Sequence, residues 1–265
     1  MFSDLNEILQ FDVNNLPKGN VITIADNNMD ANFLIHHFIS LFIRGKSKIC
    51  LLCLAQTFSH YSSVAHKLGI NLIKACDEGQ LTVIDGLQLS QEATTPITQT
   101  LDTRILPLAC IRNSTFDLKS LLVHITKRLL ESGCGDNPVT LIIDDISILI
   151  SLGLSVTTVV DFIHHCQVWF CGRNGCVVFL LHDDKNVEDE NNQQLHTLMI
   201  HKSSCSLQCQ PLPSGYSRDV HGQINIMKRE GKDGRPNRTV SRQYHYKISD
   251  KTMNLFAVGT STAVL

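Results

Sequence analysis

Strands that are apolar along their whole length are the feature that most constrains this fold. Two clear examples are Val139–Asp145 (VTLIIDD) and Gly175–His182 (GCVVFLLH). A strand that is apolar on both sides has to be covered on both faces, which happens mainly in parallel sheets flanked by helices. Helical patterns separate such strands, as in Ala31–Arg44 and Val156–Phe170. This alternation predicts an α/β fold with a mostly parallel sheet and helices on both faces.

Beyond residue 200 the pattern changes to short strands that alternate apolar and polar residues. The predicted strands are Cys205–Gln210, Gly222–Arg229, Tyr244–Ser249 and Met253–Val258. Alternation of this kind favours an antiparallel extension of the sheet. Residues 88–113 are rich in Thr, Gln and Pro, and we expect a loop there. The 265 residues are therefore predicted to form a single domain, with a parallel core over 1–200 and an antiparallel β extension over 201–265.

Charge and cysteine usage exclude several classes of protein. Lys plus Arg number 23 and Asp plus Glu 25, so the net charge of −2 excludes a uniformly basic nucleic-acid coat. No stretch reaches the ~20 apolar residues that span a bilayer, and we expect no membrane contact. Most of the ten cysteines lie in apolar runs, which is typical of a reducing compartment such as the cytoplasm. Cys50 and Cys53 form a CxxC, but on a strand they would point to opposite faces and bind no metal.

The first strand-to-helix junction lacks the residues that bind phosphate. A P-loop needs glycines, a lysine and a Ser/Thr hydroxyl, whereas Ala25–Asn32 reads ADNNMDAN. Asp26 and Asp30 stand where phosphate would bind, and their charge would repel a nucleotide. We therefore expect no functional P-loop and no cofactor.

Two acidic motifs at predicted strand ends are candidate sites. Asp144 and Asp145 end a buried strand in a vestigial Walker-B-like pattern, although an Asp in this position also commonly caps the next helix. Without a P-loop lysine the pair cannot assemble phosphoryl transfer. His182 and Asp183 resemble an acid/base cluster, but no Ser or Cys nucleophile motif accompanies them. No catalytic residue is predicted.

A basic segment near the C-terminal end is a candidate contact surface. The segment from Gly215 to Lys251 contains nine Lys and Arg residues and four acidic residues, so its net charge is +5. The glycines and proline between Arg229 and Arg238 predict an exposed hairpin loop. Such a loop could be a solvated surface, could bind a phosphate backbone or could reach a neighbouring subunit. The candidate residues are Lys228, Arg229, Lys232, Arg235 and Arg238.

Several segments together resemble one known family. They are FLIHHFIS, QTFSHYSSVAHKLG, VTLIIDDISILISLG, VVDFIHHC, SRDVHGQI, YHYKISDK and STAVL. Over Leu5 to Leu265, the chain resembles the sixth subunit of the animal Elongator complex. Residues 88–113 are the exception, because they do not align by eye.

The resemblance implies a RecA-like fold without a working P-loop. It implies a six-membered ring with two copies each of the fourth, fifth and sixth Elongator subunits, and this ring binds tRNA. The whole complex supports carboxymethyl-type modification of the wobble uridine, with the chemistry in a separate catalytic subcomplex. The chain would be non-catalytic, and its five candidate bases would contact tRNA or an adjoining subunit.

Two alternatives remain open at this point. The chain could be an unconventional nucleotide hydrolase that uses Asp144 and Asp145 for magnesium, or a generic scaffold without tRNA contact. We expect a cytoplasmic protein, with the nucleus as an additional compartment.

Overall fold

A computed structural model describes residues 2–94, 108, 118–134, 137–183, 189–215, 217–230 and 238–258. The strands are β1 Asn20–Asp26, β2 Lys48–Cys53, β3 Leu81–Asp85, β4 Val139–Ile143, β5 Cys176–His182, β6 Cys205–Gln210, β7 Gly222–Glu230, β8 Arg238–Ile248 and β9 Met253–Ala257. The helices are α1 Ser3–Leu9, α2 Asn32–Arg44, α3 Phe58–Lys67, α4 Leu72–Asp77, α5 Gly86–Thr94, α6 Lys119–Glu131, α7 Ser147–Ser151, α8 Val156–Cys171 and α9 Glu190–Lys202.

The strands form one sheet in the order β3-β2-β4-β5-β1-β6-β7-β8-β9. All pairs from β3 to β6 are parallel, and the pairs from β6 to β9 are antiparallel. The predicted α/β class, with a mostly parallel sheet and an antiparallel C-terminal extension, is confirmed. The change of direction falls one strand later than the sequence pattern indicated, because β6 itself runs parallel to β1.

Helices cover both faces of the sheet and create two apolar layers. One layer contains Leu5 of α1, Leu34 of α2 and Tyr61 of α3. The other contains Ile125 of α6 and Phe162 of α8. Coverage on both faces is what strands without a polar side require.

One helix lies where the sequence predicts a loop. Helix α5 covers the first part of the predicted loop over residues 88–113, so that prediction is wrong for 88–94. Its first turn is capped by Asp85, whose Oδ1 accepts a hydrogen bond of 3.0 Å from Gln88 N. Leu108 is buried in the core, and the rest of the predicted loop lies outside the described residues.

Helix α9 was missed because its apolar signal is weak. Only Leu195 and Met199, four positions apart, are buried among its 13 residues. Asp189 provides the N-cap, since its side chain accepts from Asn192 N.

Within the described residues, we find no helix that combines the length and the apolar character needed to cross a membrane.

Candidate functional site

Three neighbouring parallel strands end side by side with one titratable group each. Asp26 is the last residue of β1, His182 is the last residue of β5, and Asp145 follows β4. His182 Nδ1 is hydrogen-bonded to Asp26 Oδ1, and its Nε2 lies 3.1 Å from Asp145 Oδ2. We call these three residues the histidine bridge. They occupy the carboxyl edge of the sheet, where open α/β folds bind their ligands.

The geometry of the histidine bridge favours a charged imidazole. A neutral ring has one N–H, whereas both ring nitrogens here face a carboxylate oxygen. The hydrogen bonds that His182 donates to Asp145 and Asp26 raise its pKa to about 10. Burial raises the pKa of Asp26, and the hydrogen bond from His182 opposes that shift.

The remaining oxygens of the bridge are occupied by backbone amides. Asp26 Oδ2 accepts from Ala31 N at 3.2 Å, and Asp145 Oδ1 accepts from Ser147 N at 2.8 Å. Each carboxylate is almost fully buried. The cation that these two carboxylates hold is therefore a side chain of the protein.

Asp144 is bound entirely by donors of its own chain. Its carboxylate accepts hydrogen bonds from the backbone N–H groups of Leu54 (2.6 Å), Ala55 (3.1 Å) and Gln56 (3.0 Å). The Tyr61 hydroxyl adds a fourth at 3.1 Å. Burial raises the pKa of Asp144, and these donors oppose the shift because they favour the ionised form. The carboxylate of Asp144 thus links β4 to the segment after β2, and its four donors separate it from solvent.

The backbone N–H groups at the junction between β1 and α2 donate hydrogen bonds to side chains of the same chain. In a P-loop the amides at this position bind phosphate. Here Ala31 N donates to Asp26, and Asn32 N donates to Asp30 Oδ1 at 2.8 Å. The chain's own carboxylates thus take the place that an anionic ligand would take.

The predicted pair of His182 and Asp183 is not formed. Asp183 Oδ2 instead lies 3.0 Å from His196 Nδ1 on α9, while His182 contacts Asp26 and Asp145. Sequence reasoning missed Asp26 and His196 as partners. The partnership with Asp26 could have been found, because parallel strands end at the same edge and β1 and β5 both end in a titratable residue.

Two of the candidate basic residues, Lys228 and Arg229 of β7, bind helix ends. Lys228 Nζ donates to Leu9 O at the end of α1, at 2.9 Å. Arg229 donates to Ile200 O at 3.1 Å and to His201 O near the end of α9. Consecutive residues of a strand point to opposite faces, so each base caps a helix on its own face.

Arg238 is exposed and lies opposite Glu230 in the register of β7 and β8. Lys232 and Arg235 lie outside the described residues. Contact of these five bases with tRNA or a subunit stays a prediction.

The CxxC cysteines are buried on opposite faces of β2, with Cys53 in one apolar layer and Cys50 in the other. Over the ranges that the structure covers, no three His, Cys, Asp or Glu side chains are grouped so that they could hold a metal ion.

The architecture and the carboxyl edge define a class of protein: a RecA-like α/β domain in which the chain's own carboxylates accept hydrogen bonds from the amides of the junction between β1 and α2. The fold is similar to the crystal structure of a KaiC-like protein from Pyrococcus horikoshii OT3, with a TM-score of 0.57, 11% identity and coverage of 91% of both chains.

Sequence comparison gives the family. A family model described as Elongation complex protein 6 matches residues 2–250. The Elongator complex protein 6 sequences of Rattus norvegicus and Homo sapiens are each 36% identical to this chain over 270 residues. Each alignment covers 100% of both chains. The protein from Danio rerio is 35% identical over 274 residues, again across both full lengths. The chain belongs to the Elongator complex protein 6 family.

Proposed function

We propose that this chain is a non-catalytic subunit of Elongator that assembles with the fourth and fifth subunits into a six-membered RecA-like ring. In this proposal the ring binds tRNA and supports carboxymethyl-type modification of the wobble uridine by the catalytic subcomplex. The observation that carries the proposal is the similarity to Elongator complex protein 6 over the full length of both chains. The cytoplasm, with the nucleus as a second compartment, is part of the same proposal.

The carboxyl edge supports the non-catalytic part. Phosphoryl transfer depends on cations and amides that are positioned around the phosphates. In this chain the amides at the start of α2 bind Asp26 and Asp30, and Asp144 is held by four donors. A magnesium-dependent hydrolase built on Asp144 and Asp145 would have to break these contacts and the hydrogen bond that His182 donates to Asp145.

Assembly is tested by measuring the mass of the full chain alone and co-expressed with the fourth and fifth Elongator subunits. A stable complex of two copies of each subunit is expected. A chain that stays apart from both partners would contradict the proposed ring.

Nucleotide binding separates the proposal from the hydrolase alternative. A ligand at 100 times its Kd stabilises its protein by about 2.7 kcal/mol, which thermal unfolding detects readily. We expect no shift when ATP and magnesium are added to the isolated chain. A saturable shift that Asp145→Asn abolishes would favour the hydrolase.

Contact with tRNA is tested on the assembled ring with charge reversal in the hairpin. The variant is Arg238→Glu combined with Lys232→Glu and Arg235→Glu, which leaves the two helix-capping bases intact. A matched control reverses Lys46, Lys67 and Lys127, which are exposed bases elsewhere on the chain.

Each lost phosphate contact lowers the slope of log affinity against log salt by about 0.7–0.9. The hairpin variant should therefore show weaker tRNA binding and a slope smaller by about two to three, while the control keeps the wild-type slope. An unchanged slope in the hairpin variant, with the ring intact, would favour a scaffold that does not contact tRNA through this hairpin.

A further inference from the structure

A sulfur atom accepts the hydrogen bond of a buried hydroxyl on β8. Tyr246 is only 1% exposed, and its Oη donates to Met29 Sδ at a distance of 3.6 Å. Within the described residues this sulfur is the one acceptor for the hydroxyl. A buried hydroxyl normally has a good hydrogen-bond partner, and a thioether is a weak one. The hydroxyl of Tyr246 is therefore a donor that a stronger acceptor at the same place would satisfy better.

Gly222 of β7 provides the space in which the hydroxyl and the sulfur meet. It lies opposite Tyr246 in the register of β7 and β8. A Cβ atom at this position would come within 2.8 Å of Tyr246 Oη and 2.9 Å of Met29 Sδ. Glycine within a strand often marks such a close approach by another group. The absence of a side chain at residue 222 thus allows both atoms to lie over the strand.

Met29 is reached by solvent, in contrast to two other methionines. It lies in the junction between β1 and α2 and is half-buried against the apolar layer that contains Leu34. Met199 and Met253 are at most 1% exposed. Met227 is half-buried like Met29, but no hydrogen bond to its sulfur is found in the part of the chain that the structure describes. A small oxidant in solution therefore reaches Met29 and Met227 before the two buried methionines.

Hydrogen peroxide converts a methionine thioether to a sulfoxide. A lone pair of the sulfur attacks one peroxide oxygen, and the O–O bond breaks as the S–O bond forms. The proton of the transferred oxygen moves to the departing oxygen, which leaves as water. The sulfur is thereby oxidised by two electrons and the peroxide is reduced by two. At Met29 the product would carry a strongly polar oxygen on the atom that already faces the Tyr246 hydroxyl.

We propose that Met29 is a reversible oxidation site for hydrogen peroxide, at which the Tyr246 hydroxyl binds the sulfoxide oxygen. A sulfoxide usually disrupts packing, because it places a polar group among apolar side chains. Here the group meets a buried donor whose present acceptor is weak. The stronger hydrogen bond fastens the junction after β1 to β8, and reduction by a methionine sulfoxide reductase releases it again. The proposal is independent of assembly into a ring and of tRNA binding.

The first measurement locates the oxidised sulfur. The full chain is treated with hydrogen peroxide, and peptide mass spectrometry follows each methionine. Met29 should be oxidised at least tenfold faster than Met199 and Met253. Oxidation of Met29 at the rate of these buried methionines would contradict the proposal, because the sulfur would then be out of reach of peroxide.

The second measurement tests the role of the hydroxyl. It compares thermal unfolding before and after oxidation in Met227→Leu, with and without Tyr246→Phe. Oxidation should leave the midpoint of Met227→Leu unchanged or higher. It should lower the midpoint of the double variant by about 2–4 °C, the usual effect of one hydrogen bond in a domain of this size, because the sulfoxide then lacks its donor. Met29→Leu combined with Met227→Leu is the matched control, which gives the effect of oxidation elsewhere in the chain.

An equal change of the midpoint with and without the Tyr246 hydroxyl would overturn the proposal. If Tyr246→Phe does not fold, Met29→Gln decides the matter, because its amide oxygen takes the place of the sulfoxide oxygen. Met29→Gln should then have a midpoint at least as high as that of Met29→Leu. A lower midpoint would show that the hydroxyl does not bind a polar oxygen at this position, and the proposal would fail.

Discussion

His182 Nε2 lies 3.1 Å from Asp145 Oδ2, so the last residue of β5 is linked to the second residue after β4. The other ring nitrogen is bonded to Asp26 at the end of β1. One protonated ring therefore joins the carboxyl ends of three adjacent strands. In open α/β sheets that bind a nucleotide, the ligand lies at this same carboxyl edge.

The histidine bridge should make stability depend on pH in a definite direction. The pKa of His182 is raised from 6.5 to about 10 in the folded state. The stabilisation is therefore complete below pH 6.5 and is lost as the pH rises towards 10. His182 is 42% exposed, so we expect a loss of only about 1–2 kcal/mol across this range, because solvent screens the pair. Chemical unfolding at a series of pH values measures it.

His182→Asn is the control for this pH dependence. It should be less stable than the wild type at pH 6 and should approach it at pH 10. If wild type and variant fall in parallel with pH, His182 is neutral in the folded protein and the bridge is not charged.

We expect substitution of Asp144 to lower the free energy of unfolding more than most other substitutions in this chain. Asp144→Ala leaves three backbone N–H groups and the Tyr61 hydroxyl without their acceptor in a buried place. A buried donor that loses its acceptor costs about 1–3 kcal/mol, and because four donors lose theirs here, we expect a total loss of at least about 3 kcal/mol. Urea unfolding should show a decrease of this size, while Asp77→Ala, an exposed acid at the end of α4, should stay near the wild-type value. A small effect at Asp144 would mean that water replaces the carboxylate.

Lys228 and Arg229 are adjacent in sequence, but we expect them to stabilise different helices. Lys228→Met removes a hydrogen bond from the end of α1, and Arg229→Met removes bonds near the end of α9. A hydrogen bond of this kind contributes about 1 kcal/mol, which corresponds to about fivefold faster amide exchange. Each variant should accelerate exchange in its own helix, and each is the control for the other. Equal effects on both helices would indicate a general loss of stability instead.

The fold was largely predictable because its signal is local. Strands such as β4 and β5 are apolar throughout and are bounded by polar turns, and the bounds of β6 match the sequence pattern from Cys205 to Gln210. Helix α9 was not predictable in this way, because only Leu195 and Met199 face the core.

The site was predictable only in part because its partners are distant in sequence. His182 and Asp145 were recognised at strand ends, but the pairing with Asp26 depends on strand order, which places β5 between β4 and β1. Lys228 and Arg229 were assigned to the surface from composition, whereas the helix ends that they cap are contributed by segments 219 and 28–29 positions away. Sequence patterns carry no information on such contacts.

The cysteines of the CxxC should behave as buried apolar residues. Burial raises the pKa of Cys50 to about 12 and also raises the pKa of Cys53. Thiolate is the reactive form, so alkylation of the native protein should reach the half-buried Cys76 well before either of them, as followed by mass spectrometry. Early modification of Cys50 and Cys53 together would contradict the arrangement on opposite faces of β2.

The contact between Asp4 and Leu255 joins positions 251 residues apart. Helix α1 is made more than 200 residues before β7, β8 and β9, yet those late strands supply much of what it packs against. During synthesis, the face of α1 that packs against β9 would therefore remain uncovered until almost the whole domain had left the ribosome. The helix is thus among the first elements translated and among the last that can dock, and a chain interrupted before β7 would carry it as a free apolar segment.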